Sequence, residues 1–449
     1  MINSPNSLPK SNSTPGFAAK PQNIGVGLLG LGVVGSSVAR VLIDRAESLA
    51  KQTGIPLTLK KVLVNDTNKQ RSVELHPDLL TTNPDDVFSN PEVDIIIELI
   101  GGEHPASEYI EQAIANGKHV VTANKEVMAK YGYELLSLAT KHNTDLRYEA
   151  SVGSGIPLIS TFQQDLAANQ ISAIYAILNG TTNYILTQMA HEGLDFSSAL
   201  QQAQKLGYAE ADPSNDVEGT DALYKLAILS SLAFHTKINP QEIFCEGISR
   251  LQAQDFRYAR EFGYAIKLLA IAKRGHDTIE MRVHPIFIPQ DSQLAKVDGV
   301  YNAIQVEGDL AGKLIFHGEG AGALRASSAV IADVLAIARN MCRGINNTPG
   351  VTLSQELTVQ PMSDIVTRYY VRLNVFDRPS VLARIAKVLG DNSISISSVI
   401  QKESDMESQS AVLVIMTHPS QEKAVQKALG QLAKLTTVKE VANSIRVEV

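Results

Sequence analysis

Asp221 and Lys225 stand four residues apart in the run Asp216-Val-Glu-Gly-Thr-Asp221-Ala-Leu-Tyr-Lys225-Leu-Ala-Ile-Leu-Ser-Ser-Leu-Ala-Phe234. In a helix that spacing puts a carboxylate and an ammonium on one face. Leu223, Tyr224, Leu226, Ala227, Ile228 and Leu229 surround the lysine. The helix is apolar nearly all round and is expected to be buried on several sides. A lysine seldom sits there unless something needs a charge where water is scarce. The competing reading is a surface ion pair worth ~0.3–0.5 kcal/mol, and the pair alone does not choose between them. Just upstream lies Leu206-Gly207-Tyr-Ala-Glu210-Ala-Asp-Pro213. Glu210, Asp216 and Asp221 near one buried lysine could hold the ammonium of an amino-acid-like substrate. Carboxylates at such positions also serve as helix caps.

A second set of residues has the chemistry of phosphate binding. Gly30-Leu31-Gly32-Val33-Val34-Gly35 follows the apolar run Ile24 to Leu29 and opens a helical pattern. There the first glycine makes a tight turn, the second admits backbone amides to a pyrophosphate, and the third lets helix pack on strand. Dinucleotide binding is the reading we adopt over a merely structural glycine turn. The next β-rich run ends at Asn65-Asp66, with Lys69 and Arg71 close behind. Asp66 would bind a ribose 2′-hydroxyl, as in NAD, whereas Lys69 and Arg71 would accept the 2′-phosphate of NADP. Glu98-Leu-Ile-Gly101-Gly102 and Val121-Thr122-Ala-Asn-Lys125 fall at the ends of later strands, the usual ligand edge of a parallel sheet. In Glu149-Ala-Ser-Val152-Gly-Ser154-Gly-Ile156-Pro157 the glycines would let backbone carbonyls converge on a monovalent cation, or simply make a flexible crossover.

The elements that must position these residues follow from periodicity. Ile24 to Leu29, Leu57 to Val64, Val93 to Leu99, His119 to Thr122 and Leu146 to Glu149 read as strands. Ser36 to Lys51, Pro105 to Asn116 and Tyr131 to His142 read as helices between them. Continuous Val/Ile/Leu strands alternating with helices predict an α/β fold: a Rossmann-type, doubly wound parallel sheet over residues 23–149. From 150 to 345 an α+β domain is expected. Its helices are Thr182 to Glu192, Ser197 to Leu206 and Thr220 to Phe234, and its extended runs Ala265 to Ala272, Ile279 to Ile288 and Lys313 to Phe316. A further helix over 322–345 is expected to return to the first domain. Residues 346–365 read as a linker, and 366–449 as a βαββαβ, ferredoxin-like module.

With 449 residues, 44% hydrophobic and 19% charged, the chain is long enough for two or three such domains. A net charge of −7 without clusters gives no reason to expect a nucleic-acid or membrane partner. Residues 1–22, rich in Ser, Asn and Pro, read as a disordered tail and not a signal peptide. No run approaches the ~20 apolar residues of a membrane span. Two cysteines, Cys245 and Cys342, stand far apart, as expected of a protein of the reducing cytoplasm.

Taken together, and in this order along the chain, these motifs resemble homoserine dehydrogenase in its form with a C-terminal ACT regulatory domain. The resemblance runs from Ile24 to Val449. It rests on Gly30 to Gly35, Glu98 to Gly102, Thr122 to Lys125, Glu149 to Pro157, Gly207 through Lys225, Gly318 to Asp333 and the last module. It implies NAD(P)-dependent, reversible reduction of L-aspartate 4-semialdehyde to L-homoserine, on the route to threonine, methionine and isoleucine. Lys225 would be the proton donor, oriented by Asp221. Glu210 and Asp221 would bind the substrate amino group and orient Lys225, Lys125 would help position the substrate, and Asp216 and Gly207 would fall beside these roles. Gly101, Thr122 and Lys125 would join the glycine loop and Asp66 around the cofactor. The backbone carbonyls of Glu149, Val152, Ser154 and Ile156 would bind Na or K. Asp377 and Ser380 would bind an amino-acid effector, threonine, and the assembly would be a homodimer or homotetramer. The chain departs from the family at Gly322-Ala-Leu-Arg325, which lacks a usual proline, at Asn65, where many relatives carry Arg, and at Ser380, where glycine is usual.

Three other functions are weighed against this one. An aspartate-semialdehyde dehydrogenase needs a nucleophilic cysteine, and neither cysteine has such a setting. A dehydrogenase using histidine lacks a candidate, because His235 and His284 lie in apolar runs. A non-catalytic cofactor and amino-acid sensor leaves the Asp221/Lys225 pair unexplained.

Overall fold

The computed structural model describes residues 22–347, 353, 356–405 and 410–448. The tail over 1–21 and much of the expected linker, 348–352 and 354–355, lie outside the described residues.

The Ile24–Leu29 strand is buried along its whole length because it lies inside a parallel sheet covered on both faces. The sheet order is Leu80–Thr81, Leu57–Leu63, Ile24–Leu29, Ile95–Glu98, His119–Thr122, Leu146–Arg147. The chain thus starts in the middle and winds outward both ways, the Rossmann order. Val26 and Leu28 pack on one face with Val38 and Leu42 of the Val33–Asp44 helix and with Val330 and Val334 of the Ala323–Cys342 helix. Leu29, Ile96 and Val120 face the Ala106–Ala115 and Lys125–Lys141 helices. Two local expectations are corrected. The helix expected over 36–51 is two, Val33–Asp44 and Ala46–Thr53. The helix expected from Tyr131 begins six residues earlier, at Lys125, because the Asn124 side chain caps it by accepting from Val127 N at 3.1 Å.

The second sheet is larger than its expected strands. Its path runs Gly312–Glu319, Tyr301–Gly308, Ile171–Ile177, Tyr264–Arg274, Thr278–Pro289, Val438–Val447, Val366–Phe376, Ser410–Thr417, Ile396–Asp405. Ile171–Ile177 and Tyr301–Gly308 are strands the sequence reading did not place, as is the Ala253–Glu261 helix. The last four strands carry the βαββαβ order with helices Val381–Asp391 and Glu422–Leu432, but their sheet does not stand alone. Ile286 and Phe287 pair in parallel with Arg446 and Val447, so one sheet crosses both regions. One face of the module has its own core around Val371, Leu373, Ile385 and Leu389. Tyr370, Val414 and Met416, on the other face, belong to the main core.

The Thr220–Phe234 helix lies between the two sheets. It packs on Lys125–Lys141 of the first region and on Tyr264–Arg274 of the second. Its apolar circumference is therefore buried from both sides, which is why so few polar residues were affordable on it.

Candidate active site

Asp221 sits at the start of that helix, 3% exposed, between two ammonium groups. Lys225 Nζ donates to Asp221 Oδ2 at 2.6 Å and to Leu178 O at 2.9 Å. Lys125, the first residue of its helix, forms an ion pair with Asp221 Oδ1 from across the cleft. Asn179 Nδ2 donates to Asp221 Oδ2 at 2.9 Å and to Asp216 Oδ1 at 2.7 Å. Lys125, Asp216, Asp221 and Lys225 are thus one cluster, assembled by the Lys125–Lys141 helix, the short Ser214–Val217 helix and the Thr220–Phe234 helix. Lys225 is 11% exposed and Lys125 41%, so the cluster opens toward solvent on the Lys125 side.

The electrostatics follow from this placement. Burial pushes the Asp221 carboxyl up, but Lys225 and Lys125 outweigh it and hold the group well below the usual carboxylate range. Asp216 goes the other way: burial and the charge of Asp221 raise it, and the Asn179 hydrogen bond offsets only part. Burial would lower Lys125, yet its carboxylate neighbours, Asp221 foremost, leave it raised.

Glu210 and Gly207 lie on the loop that approaches this cluster. Gly207 ends the Phe196–Lys205 helix, its N–H donating to Gln204 O at 3.0 Å. Thr181 Oγ1 ties the loop down by donating to Tyr208 O at 2.7 Å. Glu210 is exposed, with its carbonyl accepting from Gln204 Nε2 at 3.1 Å, and its carboxylate is outside the hydrogen-bonded cluster.

The glycine loop lies at the C-terminal edge of the first sheet. A Cβ on Gly30 would stand 2.8 Å from Leu99 O, and one on Gly35 2.2 Å from Gly30 O, so both must be glycine. At Gly32 there is open space, and Val33, first residue of the following helix, is 79% exposed. Leu31 and Val34 flank this opening. A helix N-terminus beside an open glycine is the setting a pyrophosphate requires, so these residues fit a dinucleotide. Asp66 is on the neighbouring turn, where Asn68 N donates to its Oδ1 at 2.8 Å and Arg71 Nη2 to its carbonyl at 2.5 Å.

Glu98, quoted in the sequence only as part of a strand end, proves to organise this edge. Its buried carboxylate accepts from Ile100 N at 2.7 Å, Gly101 N at 3.3 Å and Thr122 Oγ1 at 2.6 Å. Thr122 Oγ1 in turn accepts from Asn124 N at 2.9 Å, which leads directly to Lys125. Burial raises the Glu98 carboxyl against the pull of these donors. Asn179 and Leu178 went unnoticed altogether. The signal was available: Asn before Gly-Thr-Thr at the end of an apolar run is an N-cap pattern.

Glu149 spends its side chain on structure, accepting from Leu158, Ile159 and Ser160 N at 2.6, 2.9 and 2.8 Å. Its own N–H donates to Asp333 Oδ2 at 2.8 Å. Val152, Ser154 and Ile156 follow in a loop where Gly153 and Ser154 are both left-handed, with φ of 72° and 44°. Far from this site, Asp377 and Ser380 line one cavity of about 370 Å³ together with Phe376, Val381 and Gln401. Ser380 has φ 72°, the left-handed conformation in which glycine is usual.

Residues 157–335 match the family profile of homoserine dehydrogenase, and residues 30–149 that of the homoserine dehydrogenase NAD-binding domain. The homoserine dehydrogenase of Neisseria gonorrhoeae is 41% identical over 435 residues, 96% of this chain and 99% of its own. This chain belongs to the homoserine dehydrogenase family. A crystal structure of the homoserine dehydrogenase from Thiobacillus denitrificans is similar at 42% identity and a TM-score of 0.88, covering 95% of this chain and 98% of that one. A hyperthermophilic archaeal homoserine dehydrogenase, solved in complex with NADPH, is similar over 73% of this chain and 99% of its own, at 25% identity and a TM-score of 0.60. The family match spans both the glycine loop and the lysine cluster, and the loop and Lys125 follow the C-terminal ends of strands of the same sheet.

Proposed function

We propose that this chain is an NAD(P)-dependent homoserine dehydrogenase, interconverting L-aspartate 4-semialdehyde and L-homoserine on the route to threonine, methionine and isoleucine. The observation that carries the reading is the Lys225–Asp221–Lys125 cluster beside the glycine loop. When bound, the nicotinamide supplies hydride to the aldehyde carbon or takes it back from the alcohol. Lys225 does the proton chemistry. Two of its three N–H bonds are directed to Leu178 O and Asp221, leaving one for the substrate oxygen. In reduction it donates a proton to that oxygen and its charge stabilises the developing alkoxide. Asp221 orients both lysines. Asp216 and Glu210 receive the substrate ammonium, with Gly207 beside them, and Lys125 positions the substrate at the cofactor edge.

The glycine loop, Gly101 and Thr122 hold the cofactor. The Asp66 turn carries a carboxylate for a 2′-hydroxyl and, on Arg71, a guanidinium for a 2′-phosphate, so both NAD and NADP are expected to serve. The relative solved with NADPH supports the second. The carbonyls of Glu149, Val152, Ser154 and Ile156 would hold a monovalent cation that braces the crossover. Two successive left-handed residues, Gly153 and Ser154, bend the backbone between Val152 and Ile156, where those carbonyls are carried. The cavity at Asp377 and Ser380, in the module that resembles an ACT domain, suits an amino acid the size of threonine as feedback effector. A cytoplasmic homodimer or homotetramer is what the family implies. Among the described residues no helix is long and apolar enough to cross a membrane.

The test is oxidation of L-homoserine by the purified protein with NAD and with NADP, beside Lys225→Ala. Loss of the acid should cost ~10²–10⁴-fold in kcat while the fold survives. No turnover with either cofactor would overturn the assignment and favour the sensor.

A further inference from the structure

Asn179 is 6% exposed and follows the Ile171–Ile177 strand at the point where the chain enters the Gly180–His191 helix. Its Oδ1 accepts from Thr182 N at 2.8 Å, the ordinary work of an N-cap. That bond fixes which end of the amide is oxygen, so both N–H bonds of Nδ2 face the other way. They reach Asp216 Oδ1 at 2.7 Å and Asp221 Oδ2 at 2.9 Å. One nitrogen therefore stands between two carboxylates that would otherwise repel directly. The carbonyl of the preceding residue, Leu178, accepts from Lys225 at 2.9 Å. Two consecutive residues thus grip the acid, its orienting carboxylate and the second carboxylate at once. A cap alone requires none of these last three contacts.

We infer that Asn179 is a positioning residue for the reaction, holding Asp216 and Asp221 apart so that Lys225 is aimed. The inference rests on the function proposed above. The ionisable groups around the amide are Asp216, Asp221, Lys125 and Lys225. Asn179→Ser separates the two tasks, because serine caps a helix about as well but cannot donate to two carboxylates. Its Tm should stay within ~2 °C of wild type. Its kcat should fall ~10- to 100-fold, by more than KM for homoserine rises. The acid limb of kcat/KM should move up by ~1 pH unit, since the ionised carboxylates lose a donor. In Asn179→Asp a third carboxyl faces the pair, so activity should be worse at pH 8 and recover as the pH falls and that group can donate a proton.

The acid side of thermal stability gives the same reading without turnover. A carboxylate with a depressed folded pKa stabilises above its unfolded value, and that stability is lost as pH falls through the folded one. Asp221 is held low and Asp216 high, so in Asn179→Ser the loss tied to Asp221 moves to higher pH, while the stability that Asp216 forfeits as pH rises above its unfolded value grows. A variant with unchanged kcat and an unchanged acid limb overturns the inference. So does a lowered Tm with both pH profiles unmoved, which is a cap and nothing more. Wild-type protein inactive on homoserine would defeat the functional proposal instead, and the stability profiles would still decide the role of Asn179.

Discussion

Two clusters of buried charge can be set side by side, one at the lysine helix and one where the C-terminal module joins the main sheet. At the junction, Asp255 is fully buried and all its capacity is used. Its Oδ1 accepts from Arg372 Nε at 2.8 Å and Tyr370 Oη at 3.0 Å, its Oδ2 from Asn443 Nδ2 at 2.8 Å and Gln252 N at 3.0 Å. The rest of the Arg372 guanidinium goes to Gln254 and Gln252. Nearby, Arg446 meets Glu422 with two nitrogens, at 2.9 and 2.7 Å, and Glu246 with a third at 2.8 Å. These groups offset their desolvation by completing one another. The lysine cluster is built differently. One carboxylate serves two ammoniums, one of them on a half-exposed lysine, and an N–H of Lys225 is left over. A closed network fixes two bodies together; an open one keeps hydrogen-bonding capacity in reserve for a substrate.

The sharpest way to break this comparison is the same mild substitution in each cluster. Asp221→Asn should lower kcat/KM by ~10²–10⁴-fold, because both lysines lose their orienting charge. Its cost in stability should be the smaller of the two, since Lys125 can turn outward to water. Asp255→Asn should cost ~3–5 kcal/mol of stability by leaving Arg372 buried without its counter-charge. Its kcat, measured well below its Tm, should stay within a few-fold of wild type. Thermal melts and steady-state rates on both variants decide the matter. Equal stability losses would mean that the two clusters are the same kind of object.

Asp333 is an intermediate case, a buried carboxyl that accepts from the backbone N–H of a second acidic residue, Glu149. Burial, with Glu149 adding to it, pushes its pKa up to about 7. The unfolded chain releases this proton near pH ~4, so between ~4 and about 7 the folded chain binds a proton that the unfolded one has lost. Stability therefore falls as pH rises through that window and stays lower above it. Asp333→Asn keeps the acceptor for Glu149 N–H and removes the penalty. Its Tm should exceed that of wild type by ~2–4 °C at pH 8 and match it near pH ~4. A gain independent of pH would show that the group is not ionising in the fold.

What the sequence revealed of these regions follows a physical divide. Residues close along the chain announced themselves: the glycine loop by its flanking strand and helix, Asp221 and Lys225 by helical spacing, and the module by its βαββαβ order. Contacts across the fold did not. Nothing near Lys125 says that it will meet Asp221, because the pairing is set by two helices packing from different sheets. The helix start was missed for a related reason: one capping asparagine, not periodicity, sets it. The pairing of Ile286 with Arg446 joins strands about 160 residues apart, for which local pattern has no signal. Arg372 was one polar position on an expected strand, and Asp255 lies on a helix that the sequence reading did not place. Asn179 was not read even as a cap, and its second task depends on two carboxylates brought in by tertiary structure.

The smallest expected effect tests whether the two clusters communicate. Ser380 holds φ 72° at the cavity that Asp377 also lines, far from the lysines. An L-residue there bears ~1–2 kcal/mol of strain, part of which glycine would recover after its own entropic cost. Ser380→Gly should therefore raise Tm by no more than ~2 °C and leave kcat unchanged without effector. With glycine the backbone can approach a bound amino acid more closely, so half-inhibition by threonine should need ~2- to 5-fold less of it. A signal from the proposed effector would have to pass from that cavity along the shared sheet to Arg446 and Glu246. Beyond them, Ile248 N donates to Val217 O at 2.9 Å, just before the helix begins. Arg446→Met in the Ser380→Gly background should abolish the threonine response while homoserine turnover persists. Inhibition that survives the loss of Arg446 would mean that the closed cluster only joins the two regions and carries no signal between them.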